Sequence, residues 1–177
     1  MTTKKVIVAF TLGGTAGRSC LSGVFDYVNE GHDWNIRFIQ NPDELTRPFV
    51  ETAVRDGLDG VITGFRAYTD GLAALEAAPI PVVFTDYPRN ATPNPAQRNF
   101  LIRNDDVAIG REAARYLLSR GSFRAAAFVA TPRPSRWSTL RERGFRLQLG
   151  DAGLLPKRLR PDDTLADALK ALPRPAA

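Results

Sequence analysis

Trp137 and Arg141 stand four residues apart in a stretch, Trp137-Ser138-Thr139-Leu140-Arg141, that reads as the opening of a helix. At that spacing their side chains share one helix face. A guanidinium offers paired N–H donors suited to vicinal hydroxyls, and an aromatic ring offers a flat apolar surface for a sugar's C–H face. The pair is either a carbohydrate grip or, more plainly, a helix ion pair beside a core tryptophan. Asp86 and Asp105 each follow an apolar run, so both fall at the C-terminal end of a strand, where open α/β sheets hold ligands. A carboxylate there accepts hydrogen bonds from hydroxyls. Asp106, directly ahead of an apolar-periodic segment, reads as a helix N-cap, which leaves Asp105 for the crevice.

The glycine-rich run Leu12-Gly13-Gly14-Thr15-Ala16-Gly17-Arg18 is the other feature with chemical potential, since backbone amides at a helix N-terminus attract anions and polar ligands. It is not a P-loop: Gly13 and Gly17 have the wrong separation and Arg18 stands in place of the lysine. A plain turn and a ligand contact through Leu12 and Gly13 both remain open. Phe65-Arg66, after a third apolar run, is a candidate of the same kind as Trp137 and Arg141. Catalysis finds little support. There is no Gly-x-Ser-x-Gly, no histidine beside a nucleophile motif and no paired set of metal ligands. The one histidine, His32, sits in a surface loop by its neighbours, and the one cysteine, Cys20, lies on the apolar side of a helix.

Strands alternating with helices must position these residues. Lys5 to Phe10, Trp34 to Ile39, Leu58 to Thr63 and Ile80 to Thr85 are Val/Ile-rich apolar runs of strand length. Leu21, Val24, Phe25 and Val28 recur at helical spacing, as do Leu45, Phe49 and Ala53, and Gly31 and Gly57 stop the two helices. A short helix from Leu72 to Ala78 precedes the fourth run. Phe100-Leu101-Ile102 reads as a short buried strand, Gly110 to Leu117 as a helix, Arg124 to Ala130 as a strand, and Trp137 onward as another helix. Such alternation predicts one parallel, doubly wound sheet for the first four runs.

With 177 residues, 44% apolar and 24% charged, the chain has the composition of an ordinary globular protein, and no apolar run reaches membrane-spanning length. The net charge of +5 is mostly arginine spread over the second half. No helix-turn-helix, zinc-finger spacing or aromatic–basic strip accompanies it, so direct DNA contact by these residues is not expected.

The order and spacing of Ile102-x-x-Asp105-Asp106-x-x-x-Gly110, Leu117-Leu118-x-x-Gly121 and Ser138-x-x-Arg141-x-x-Gly144-Phe145, with Leu58-Asp59-Gly60-Val61-Ile62 upstream, resemble the effector-binding domain of lactose-repressor-family regulators. That family shares its fold with periplasmic sugar-binding proteins. The Trp-Ser-x-x-Arg-x-x-Gly-Phe form looks closest to xylose-responsive regulators of the arabinose-regulator type. Asp106 departs from the pattern, which usually has Asn there. The resemblance runs from about Lys5 to Leu154. It implies an α/β, periplasmic-binding-protein-like fold of type I, with doubly wound parallel sheets in two lobes, 1–102 and 103–177, closing on a small sugar or polyol. It places the family's ligand-binding arginine at Arg141; together with the positions read above, the candidate ligand set is Leu12, Gly13, Phe65, Asp86, Asp105, Trp137 and Arg141. It also implies a cytoplasmic, homodimeric transcription regulator that is neither an enzyme nor a membrane protein, needs no cofactor or metal, and touches DNA only through a domain outside this chain. The alternatives are a receiver-like or nucleotide-binding doubly wound domain and a transport-associated sugar-binding protein. A receiver would need acidic residues after the first strand and at the end of the third, where Thr11 and Thr63 stand instead.

After Leu154 the pattern thins to a weak strand, Pro156 to Arg160, and a short helix, Thr164 to Leu172. The resemblance then leaves the second lobe about half complete, as in a truncated or engineered fragment. A bare strand edge with Ala125, Ala127, Phe128 and Val129 on the surface is the expected result, with self-association and weak or no sugar binding.

Overall fold

The computed structural model describes residues 2–65, 68–85, 95–123, 125–132 and 135–159. The chain divides into two compact units, Met1–Arg103 and Asn104–Ala177.

The first unit contains β1 (Lys4–Ala9), α1 (Thr15–Asn29), β2 (Trp34–Ile39), α2 (Arg47–Arg55), β3 (Gly60–Thr63), α3 (Asp70–Ala77), β4 (Val82–Phe84) and β5 (Asn99–Leu101). All five strands are parallel, in the order β2-β1-β3-β4-β5. The first four apolar runs of the sequence therefore lie in one parallel sheet, as their alternation with helices predicts. Register decides what each face carries. Ile7, Val61, Val82 and Asn99 align across the sheet on the side covered by α2 and α3. Val8, Ile62, Val83 and Phe100 align on the opposite side, where α1 lays Cys20, Leu21 and Val24 over Val6, Val8 and Phe10. Helices on both faces of a parallel sheet make the arrangement doubly wound. Thr46 and Thr69 cap α2 and α3 through their side chains, and Gly31 and Gly57, at φ 103° and 84°, supply the left-handed turns that end α1 and α2.

The last strand of this sheet spans Asn99–Leu101, one residue earlier than the expected Phe100–Ile102, and its side chains alternate between the two faces. Asn99, not Phe100, faces the covered side; it is buried, and its Nδ2 donates to the Glu76 carbonyl at 2.8 Å. Phe100 lies on the same face as α1 but at the far edge of the sheet, beyond the part α1 covers, and both it and Ile102 are exposed.

The second unit contains α4 (Asp106–Ser119), β6 (Ala127–Val129), α5 (Arg136–Asp151) and β7 (Lys157–Leu159), with β6 and β7 paired in parallel. The weak strand near Pro156 is thus real, while the helix expected from Thr164 to Leu172 lies outside the described residues. Two glycines set the approach of α4 and α5. A Cβ on Gly110 would collide with the Arg141 carbonyl, and one on Gly144 would collide with the Val107 carbonyl. Each helix thus seats its glycine against the other's backbone, and Ala114, Ala126, Phe145 and Leu149 close the core beside them. Buried Glu142 joins α5 to β7, accepting from Arg146 Nε at 3.2 Å and forming an ion pair with Arg158 Nε at 3.1 Å.

The expected surface row on β6 needs correction. Ala125, Ala127 and Phe128 are half-buried, and Phe128 packs on Phe145 with ring centroids 5.9 Å apart. Val129 is the exposed member of that row, at 56%.

Candidate functional site

The second unit brings three of the singled-out side chains together where α4 begins beside the first turns of α5. Ser135 caps α5, its Oγ accepting from the Ser138 amide at 3.3 Å, and the Thr139 hydroxyl donates back to the Ser135 carbonyl at 3.1 Å. Buried Ser138 Oγ accepts from the Thr131 amide at 3.4 Å, which ties the helix start to the segment after β6. Trp137 and Arg141 then project from one face of α5. Arg141 Nε donates to Asp106 Oδ1 at 2.9 Å, and its guanidinium carbon lies 4.8 Å from the centre of the Trp137 ring. The Asp106 side chain is 8% exposed and that of Arg141 33%. The carboxylate is therefore set into the helix pair, while the guanidinium reaches toward solvent. Nε is taken, and among the described residues both terminal nitrogens of Arg141 are without a protein partner. A planar cation held by a buried anion on one edge and an aromatic ring on one face, with its outer donors free, is organised to donate hydrogen bonds to a ligand.

The helix cap falls on Asp105 and not, as expected from the sequence, on Asp106. Asp105 is the N-cap of α4: its Oδ1 accepts from the Ala108 amide at 2.9 Å. Asp106 is the first helical residue, and its carboxylate turns inward to Arg141. Both positions precede the same apolar pattern, so an acidic pair leaves the cap ambiguous by one residue. Only the position of Arg141 decides it.

The remaining candidates all fall in the stretch of chain that makes the first unit. Leu12 and Gly13 follow β1, and Phe65 follows β3. These strands neighbour each other where the strand order reverses, the position at which doubly wound sheets leave a crevice. Gly13 is exposed, with open space where a Cβ would stand, and the Leu12 carbonyl accepts from Arg18 Nη1 at 2.8 Å. Phe65 is not available in the way its position suggests. Its ring is 2% exposed and belongs to the core under α2 and α3, so its side chain packs rather than reaches outward. Asp86 lies outside the described residues.

The bland assignments of Cys20 and His32 agree with their places. Cys20 is half-buried against the α1 side of the sheet, and His32 is exposed, stacked on Tyr27 with centroids 3.7 Å apart. Among the described residues no group of three or more His, Cys, Asp or Glu side chains could hold a metal ion, and no helix is long and apolar enough to cross a membrane. Asp59 is the one described carboxylate clearly held below its ordinary range: the Lys4 ammonium donates to it at 2.9 Å and the Lys5 amide at 2.8 Å. It ties the start of β3 to β1.

Comparison with known proteins places the fold. No family model matches the chain, and no curated protein matches it. Solved structures do. A LacI-family transcriptional regulator protein from Rhizobium etli superposes with a TM-score of 0.63 at 21% identity, over 89% of this chain and 56% of that one. A periplasmic ribose ABC transporter protein from Conexibacter woesei gives 0.69 at 17% identity, over 89% and 54%. A periplasmic binding protein/LacI transcriptional regulator from Alkaliphilus metalliredigens, in complex with D-xylulofuranose, gives 0.58 at 18% identity, over 97% and 62%. The fold is the periplasmic-binding-protein-like α/β fold that these structures share. The chain spans between about half and two-thirds of the length of these structures.

Proposed function

We propose that this chain is the ligand-sensing part of a bacterial sugar-responsive transcription regulator, and that it takes a small sugar or polyol through Arg141 and Trp137. The observation that carries the reading is the arginine itself. Its Nε is fixed by Asp106, its face lies over Trp137, and its terminal nitrogens are left to donate. Hydroxyl oxygens of a sugar match those donors, and the exposed part of the indole suits a sugar's apolar face. Leu12, Gly13 and Asp86 stay in the proposed ligand set on their positions in the sequence alone.

A pentose is the first sugar class to test. The Trp137-Ser138-x-x-Arg141 form resembles xylose-responsive regulators, and the Alkaliphilus structure holds a pentulose. In this reading the chain works in the cytoplasm as a homodimer, reaches DNA through a domain other than these residues, and performs no catalysis of its own. The fold neighbour from Conexibacter supports a second reading, a sugar-binding component of transport, which uses the same site chemistry in another compartment. The experiment is a thermal-shift screen of the wild-type chain and Arg141→Ala against pentoses, hexoses and polyols. A sugar that raises the wild-type Tm and leaves Arg141→Ala unmoved supports the reading. Stabilisation that survives Arg141→Ala places the ligand elsewhere.

A further inference from the structure

Resting on the sugar-binding reading above, we infer that Asp106 is the residue that sets the ligand class of this site, reserving Arg141 for uncharged hydroxylated molecules and turning away phosphorylated or carboxylated ones. An arginine that meets its ligand without a counter-ion is a strong anchor for phosphate or carboxylate, because its fork carries charge as well as donors. Here the charge is already answered. The Asp106 carboxylate sits 2.9 Å from Nε and is itself 7% exposed, so water and salt screen it little. A ligand anion arriving at the terminal nitrogens would meet a pair close to neutral and lose its hydration for small Coulombic return. A hydroxyl needs only the N–H donors, and these are untouched.

The other arginines of α5 do not restore the charge. Arg136 and Arg143 flank Arg141 in sequence, but at about 100° per residue they lie about 140° and 160° around α5 from it. Arg146, likewise about 140° away, is bound to Glu142. The Trp137 ring takes up one face of the guanidinium and adds no charge. Asp106 is thus a specificity-determining residue that acts through Arg141.

The test reads Arg141 directly. The 15N-labelled chain is titrated with inorganic phosphate, D-ribose 5-phosphate, D-ribose and D-xylose, following the Arg141 Nε–H resonance, assigned by its loss in Arg141→Lys. Asp106→Asn keeps an oxygen that can accept from Nε but removes the charge. The wild-type resonance should ignore phosphate and the sugar phosphate. In Asp106→Asn it should move saturably with both, at least tenfold more tightly than any response of the wild type. A wild-type response to phosphate equal to that of Asp106→Asn, or no anion response in a folded Asp106→Asn, overturns the inference. If Asp106→Asn gives no cooperative melt, the wild type decides alone: preference for D-ribose over its 5-phosphate upholds the role of Asp106, and the reverse preference refutes it. Failure of every free sugar to move the wild-type resonance, with anion response gained in Asp106→Asn, removes the sugar reading and leaves the exclusion of anions by Asp106 standing.

Discussion

Gly144→Ala should be the most damaging single-methyl change in the second unit. A Cβ at this position would collide with the Val107 carbonyl oxygen and come within 2.9 Å of its carbon and 3.1 Å of the Arg111 amide nitrogen. The carbon contact alone is roughly 0.6–1 Å inside the optimum, and backbone cannot rotate away as a side chain can. The helices must therefore part. A gap of that size forfeits about a quarter to a half of each facing contact, and the contacts at stake belong to Ala114, Phe145 and Leu149. Overpacking of this kind costs about 3 kcal/mol at the upper end of its usual range. Replacing a mid-helix glycine returns about 1 kcal/mol of helix propensity, for a net loss of about 2 kcal/mol. In a unit of this size that lowers Tm by about 8–16 °C. Gly150→Ala on the same helix meets nothing within 4 Å and should instead stabilise, by about 0.5 kcal/mol. Thermal melts followed by circular dichroism, with hydrogen exchange in α4 and α5 to localise the effect, compare the two. Equal melting of Gly144→Ala and wild type would refute the close helix crossing.

Arg141→Ala should cost ligand-free stability as well as binding, by about 1–2 kcal/mol, because it strands buried Asp106; a third of the arginine being exposed keeps the loss below that of a wholly buried pair. Urea titration of Arg141→Ala beside Asp106→Leu/Arg141→Met checks this, the double variant recovering most of the loss. Asp105→Ala should cost about 1 kcal/mol through the lost cap and Asp105→Ser much less, measured the same way. Asp59, held low by Lys4 and Lys5, takes up its proton at lower pH in the folded chain than in the unfolded one. Its contribution is therefore fully present above the ordinary carboxylate value and disappears as pH falls through the depressed folded value. Asp59→Asn should flatten that part of the acid limb in urea midpoints measured against pH, and an unchanged limb would show that the Lys4 contact does not persist in solution.

The first unit was legible because its signals are long and redundant. Four Val/Ile runs alternating with periodic helices leave few topologies, and the glycines after α1 and α2 mark their ends. β5 was less so. With three residues at a sheet edge, the apolar run Phe100–Ile102 outweighed Asn99 on paper, whereas the register in the sheet places the amide inward. Trp137 and Arg141 could be paired from spacing, since a helix fixes that geometry locally. What could not be read is what crosses between elements. The partner of Arg141 is a residue on α4, and buried Glu142 is satisfied from β7 as well as from its own helix. Gly110 and Gly144 do carry a signal in the sequence: two glycines inside helical patterns mark places where another backbone approaches closely.

The central claim is that Arg141 and Trp137 hold a sugar, and one titration addresses it most directly. The indole N–H resonance of Trp137 and the Nε–H resonance of Arg141 are followed together as D-xylose, D-ribose and D-xylulose are added to the intact chain up to the millimolar range, where weak binding is still visible. The expected result is that at least one pentose moves both resonances along a common saturating curve, and that Arg141→Lys weakens or abolishes the indole response. Resonances that stay fixed with every pentose, hexose and polyol, or an indole response indifferent to Arg141→Lys, would contradict it.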